Sequence, residues 1–161
     1  MTQEQKTAFL RELQKLHHRK ELFQTVGADY FEPGMMEYLD QAEGQYDPDT
    51  GNFLLRFDSR GTRYDGRTEL IERVREKDPV YIERDSENPF NHNNFRLLTR
   101  GKKDIGNMPA ELCNVIAPLY DVGNLEISKA FVSYVEPISR RNRHARQAIL
   151  FVQMQGRLNE K

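Results

Sequence analysis

Tyr81-Ile-Glu-Arg-Asp-Ser-Glu-Asn-Pro-Phe-Asn-His-Asn-Asn-Phe-Arg-Leu-Leu98 decides how this chain is read. A short apolar strand runs into a polar Asn88-Pro89 corner, and a second apolar strand follows directly. Asn, His and Phe side chains crowd the corner. A plain hairpin needs one or two turn formers, not this many. Asn88-Pro89-Phe90 therefore reads as a loop that offers an aromatic face and amide hydrogen bonds at one spot. Unpaired nucleic-acid bases are bound in that way, by stacking and by bonds to their edges.

Around this hairpin the chain keeps a rhythm of short strands and turns. Phe53, Leu55 and Phe57 alternate with Leu54 and Arg56. The Gly61-Thr-Arg-Tyr-Asp-Gly66 stretch is a basic, glycine-punctuated loop, and Thr68–Val74 fits a strand or a helix, with the strand preferred. Asp78-Pro79 turns the chain into a strand from Val80 to Glu83. Phe95–Thr99 is the next strand, Gly101–Asp104 a turn, and Ile105–Met108 a short strand. Pro109 opens a helix at a position where no amide donor is needed. Leu112, Val115, Ile116 and Leu119 form its buried stripe, with Cys113 beside it. Strands at 125–135 and 147–155 complete the pattern. Short strands, Gly/Pro turns and one inserted helix predict a mainly β (α+β) fold, a small closed β-barrel.

Residues 1–50 differ. Residues 3–25 read as a helix whose stripe is Phe9, Leu13, Leu16 and Phe23, broken at Lys20 and stopped at Gly27. A Glu32-Pro33-Gly34 corner and a short helix over 35–41 follow, and 46–51 is a turn. We divide the chain into a helical, acidic extension (1–50) and a barrel domain (51–161). The extension is expected to pack on the barrel or to form a homodimer contact through its first helix.

The length of 161 residues suits one domain. The net charge of −1 hides an asymmetry. Residues 28–52 carry seven acids and no Lys or Arg, whereas residues 53–161 carry nineteen basic and fifteen acidic residues. The later part is thus suited to a polyanion. A single cysteine, Cys113, excludes a disulfide framework and a cysteine metal cluster. No apolar run reaches membrane length and no signal peptide opens the chain, so a cytoplasmic protein without membrane contact is expected.

Three motifs in order resemble the HIRAN domain over about residues 53–155. They are Ile82–Phe95 with its Arg, acid and Asn-Pro-aromatic; Ile105-Gly-Asn-Met-Pro109 followed by the Leu112–Gly123 helix end; and Gly61-Thr-Arg-Tyr64. The resemblance implies an OB-like barrel that binds single-stranded DNA and recognises a free 3′-hydroxyl end. Such modules occur with SNF2-type fork-remodelling helicases and in stand-alone bacterial proteins. It implies that Arg63 and Tyr64 hold a phosphate and stack on a base. Asn88 and Phe90 would contact the terminal nucleotide, Asn91 would face the terminal hydroxyl, and Asn107 would join the site. Asn91 stands where the family usually has Asp, Phe90 where Tyr is frequent, and Asn107 and Ala110 where some members have His and a basic residue.

The expected function is recognition of single-stranded DNA, at a free 3′ end, by a non-catalytic module in DNA repair or processing that partners a helicase or nuclease. The alternative is a protein-interaction module that kept the barrel and lost DNA binding. Each residue also has a plainer reading. Phe90 could cap the core, and Asn88-Pro89 would make a sound turn in any protein. Arg84 could pair with a nearby acid. Arg140, Arg141, Arg143 and Arg146 form either a solvated hairpin tip or a patch that tracks a DNA backbone, since Arg binds phosphate well. Gly101-Lys102-Lys103 has the same two readings. No catalytic motif, cofactor or metal site is expected. His17 and His18 are adjacent and point apart, and Asp47-Pro-Asp-Thr-Gly51 has the outline of a calcium loop with its Gly misplaced.

Overall fold

The computed structural model describes residues 1–18 and 36–160. The expected course of the first helix beyond His18, with Lys20, Phe23 and Gly27, and the Glu32–Gly34 corner lie outside them. The elements are α1 (Gln3–His17), a 3-10 turn (Met36–Gln41), β1 (Glu43–Tyr46), β2 (Asn52–Asp58), α2 (Arg67–Ile71), β3 (Tyr81–Asp85), β4 (Asn94–Leu98), β5 (Asp104–Asn107), α3 (Ala110–Tyr120), β6 (Leu125–Glu136), a 3-10 turn (Ile138–Arg140) and β7 (Ile149–Leu158).

The strands form two antiparallel sheets, β1-β2-β7-β6 and β3-β4-β5. Neither closes on itself. Short seams join them at two places. Pro79 bridges to Phe131, flanked by bonds from Lys77 N to Val132 O (2.8 Å) and from Val80 N to Ala130 O (3.0 Å). Arg60 and Asn107 exchange backbone bonds of 2.8 and 3.0 Å. The architecture is thus mainly β with a few helices.

One core lies between the sheets and under α3. Phe57, Phe95, Phe151, Leu97, Ile105 and Leu112 are fully buried in it. Leu112, Cys113, Ile116, Ala117 and Leu119 form the inner face of α3, while Val115 is only partly buried. Burial pushes the Cys113 thiol up to about 11, so its sulfur packs as a small hydrophobe rather than reacting.

The N-terminal segment shares this core. A capping box between Thr2 and Gln5 starts α1. Its stripe of Phe9, Leu13 and Leu16 is buried, with Phe9 edge-on to Phe53 of β2 at 5.2 Å. A dimer contact through α1 would have to use its opposite, polar face. Gly44 lets the helix approach, since a Cβ there would stand 2.1 Å from the Leu13 carbonyl oxygen. β1 itself departs from the reading of residues 1–50 as helices and a turn. Its sequence, Glu-Gly-Gln-Tyr, carries little strand signal, and pairing with β2 makes it a strand.

A second departure is α2, expected as a strand. Arg67 and Ile71, four residues apart, are both buried, and Val74 continues the same face. That is helical spacing. Gly66, at φ +76°, turns the chain into it.

Candidate nucleic-acid interface

The β3–β4 hairpin is a rigid mount for one exposed ring. Asn88 Oδ1 accepts the backbone N–H groups of Phe90 (2.9 Å) and Asn91 (3.1 Å), an Asx turn that fixes the corner. Asn88 Nδ2 donates to Asp85 at 3.1 Å. Asn91 is used in the same manner. Its Oδ1 accepts from Asn93 N (3.0 Å) and its Nδ2 donates to Asn114 of α3 (3.2 Å). Arg84 ties the base of the loop down. It forms a fork with Asp121 just beyond α3 (3.0 and 3.1 Å) and donates to the carbonyls of His92 and Asn94. The acid expected for Arg84 therefore comes from beyond α3, not from the sheet. With the backbone of residues 90 and 91 fixed by Asn88, Phe90 is left 95 % exposed, and it does not cap the core.

The Gly61–Gly66 loop is pinned from below. Arg67, itself buried, forms a fork with Asp104 (3.1 and 3.0 Å) and donates to Gly61 O (3.0 Å). Thr62 Oγ1 bonds to Ala148 O and Thr68 Oγ1 to Thr62 O. On this base Tyr64 stands half exposed, with the Arg63 guanidinium 4.8 Å from its ring centre and donating to its hydroxyl. This is a cation–π pair held at the surface. Arg67→Ala should free the loop and leave the Asp104 carboxylate without its fork. We expect a loss of about 1.5–3 kcal/mol in urea unfolding, the usual worth of hydrogen bonds to charged groups. Unchanged stability would show that the fork does not hold the loop.

A chain of amides joins the two loops. A Cβ on Gly61 would lie 3.7 Å from Asn107 Nδ2 and 3.9 Å from the Tyr64 ring, so these two side chains flank the same point. Asn107 Oδ1 accepts from Asn94 Nδ2 (2.9 Å), and Asn94 Nδ2 also donates to Asp85 (3.1 Å), which holds Asn88. Tyr64, Asn107, Asn94, Asp85, Asn88 and Phe90 thus form a continuous path. The sequence reading named Tyr64, Asn88, Phe90 and Asn107 but not Asp85, Asn94 or Arg67. The hairpin register carried a signal for two of these, because Asp85 and Asn94 face each other as its last pair.

The arginine-rich segment leads into Ala148, whose carbonyl accepts from Thr62 of the Gly61–Gly66 loop. Arg141 turns inward, donating to Gln147 O (2.6 Å) with its guanidinium 5.6 Å from the Tyr38 ring. Arg140, Arg143 and Arg146 are exposed. The segment is fixed at its start by Ser139, which donates through N and Oγ to Glu72. Among the described residues no group of three His, Cys, Asp or Glu could hold a metal ion. None of their helices is long and apolar enough to cross a membrane.

Residues 52–146, more than half of the chain, match the HIRAN domain family, and the chain belongs to it. Its fold is similar to the crystal structure of the HIRAN domain of human HLTF, with 21% identity, 65% of this chain and 76% of that chain covered, and a TM-score of 0.46. It is similar to a crystal structure of a Lactobacillus plantarum protein, with 17% identity, 65% and 98% coverage, and a TM-score of 0.49. The NMR structure of the HLTF HIRAN domain in its DNA-bound conformation gives 20% identity, 65% and 75% coverage, and a TM-score of 0.42. No curated protein matches the chain.

Proposed function

We propose that this HIRAN protein binds single-stranded DNA at a free 3′ end. It would act as a non-catalytic recognition module in cytoplasmic DNA repair or processing, handing the end to a helicase or nuclease. The observation that carries this reading is the exposure of Phe90 on a corner that the Asn88 Asx turn fixes. The exposed ring has a free stacking face, and the fixed backbone beneath it loses little freedom on binding. Tyr64 supplies a second ring across the amide path and Arg63 a cation for a phosphate. Arg140, Arg143 and Arg146 are further candidates for backbone contacts.

One observation favours the second reading, an interaction module that has lost DNA-end binding. The Asn91 side chain is bonded to Asn93 and Asn114, so it must exchange partners before it meets a terminal hydroxyl. Both readings face the same experiment, fluorescence anisotropy with oligonucleotides ending in 3′-hydroxyl or 3′-phosphate. The wild type should bind both with a weak preference for the hydroxyl, because an amide does not repel phosphate. Asn91→Asp should sharpen the preference, since a carboxylate accepts from a hydroxyl and repels a phosphate. The Asn114 amide can turn to donate to the new carboxylate. If wild type, Asn91→Asp and Phe90→Ala bind both ends alike, the loop is not a DNA site and the interaction module takes its place.

A further inference from the structure

A groove of about 430 Å³ is lined by Leu70 of α2 and by Arg73 and Val74 just past its end. Leu70, Ile105 and Val132 are among its apolar walls, and Arg73, Arg100 and Lys103 bring three cations to it. Among the described residues none of the three forms an ion pair. The lining sets one carboxylate against these three cations, a net charge of +2. Asp78, the one carboxylate of the lining, accepts from Arg75 N at 2.9 Å, and Asp104 is held by Arg67. The bordering turns add Lys77 and Lys102, both in the left-handed region at φ +75° and +61°. A side chain there costs about 1–2 kcal/mol that glycine avoids. The chain nevertheless keeps lysine at 102, with Gly101 one residue away.

We propose that this groove is a second site on the same strand, taking the phosphodiester backbone of single-stranded nucleic acid beyond the nucleotides held at Phe90 and Tyr64. The proposal rests on that reading of the two loops. Two elements lead from one place to the other. α2 carries Arg67 beneath the Tyr64 loop and Leu70 at the groove, with Arg73 two residues past its end. β5 has Asn107 beside Tyr64 and Ile105 at the groove, with Lys103 directly before its first residue. At about 3.4 Å per residue, the Asn107–Lys103 run spans about 14 Å, which a few nucleotides cover. No aromatic ring lines the groove, so it offers no platform for bases. Unpaired Arg and Lys at its edge suit phosphates, and Leu70 and Pro79 give the sugars between them an apolar contact.

The test is anisotropy over a salt series with two oligothymidylates of about 4 and about 16 nucleotides, the limits of single-stranded site sizes. The wild type is compared with the triple variant Arg73→Gln, Arg100→Gln, Lys103→Gln, whose side chains are exposed. On the longer strand the variant should lose about 2 from its salt slope. Its deficit would then be about 20-fold larger at 50 mM than at 200 mM salt. On the shorter strand the two proteins should agree. Equal slopes on the longer strand overturn the groove site, leave the loop site standing and make an acidic protein segment the next candidate. A wild type that ignores the shorter strand, with the slope difference kept on the longer one, overturns the loop site and keeps the groove.

Discussion

Phe90→Ala is expected to weaken single-stranded DNA binding by about 1–3 kcal/mol, the usual cost of removing one base–aromatic stack. In affinity this is roughly 5-fold to 150-fold. The thermal midpoint should not move, because the ring is 95 % exposed and the Asx turn that presents it uses the backbone of residue 90, not its side chain. The pairing of outcomes matters. Lost binding with lost stability would mean that the ring supports the hairpin, and retained binding would remove it from the site. Arg63→Ala should act differently and mainly reduce the salt dependence, by about 0.7 in slope for one phosphate on a single strand.

The largest effect on stability is expected at a residue outside the span that defines the family. Phe9 is completely buried against Phe53. Phe9→Ala should cost about 3–5 kcal/mol, the transfer energy of the ring plus the cavity left behind. For a chain of 161 residues that is roughly 6–20 °C in the thermal midpoint. The loss should appear as one cooperative transition, since α1 and β1 belong to the same core as β2 and α3. A loss below about 1 kcal/mol, or a second transition, would mean that residues 1–50 form a separable unit.

The elements most legible in the sequence were those whose own pattern carries them. Alternation gave Phe53, Leu55 and Phe57, and a stripe with a leading proline gave α3. The Asn-Pro corner announced the exposed loop through its surplus of turn formers. Elements that depend on distant partners were not legible. β1 is a strand because β2 offers an edge, and Glu43–Tyr46 shows no alternation of its own. α2 has only five residues and no side-chain cap, and Leu70-Ile71 fits a strand as well as a helix. At the site, exposed residues were easier to name than the residues that hold them. Arg67 reads as one more loop arginine until Asp104 is seen opposite its guanidinium.

The commitment of the loop's amides limits what a strand docked there could convey. Telling one base from another needs free donors and acceptors set against its edge. Asn88 and Asn91 hold most of theirs to the turn, to Asp85 and to α3, and Phe90 has no polar atom beyond its backbone. A π-face accepts all four bases alike. Partners would then be chosen by whether a strand is unpaired and by its charge, while the text it carries goes unread.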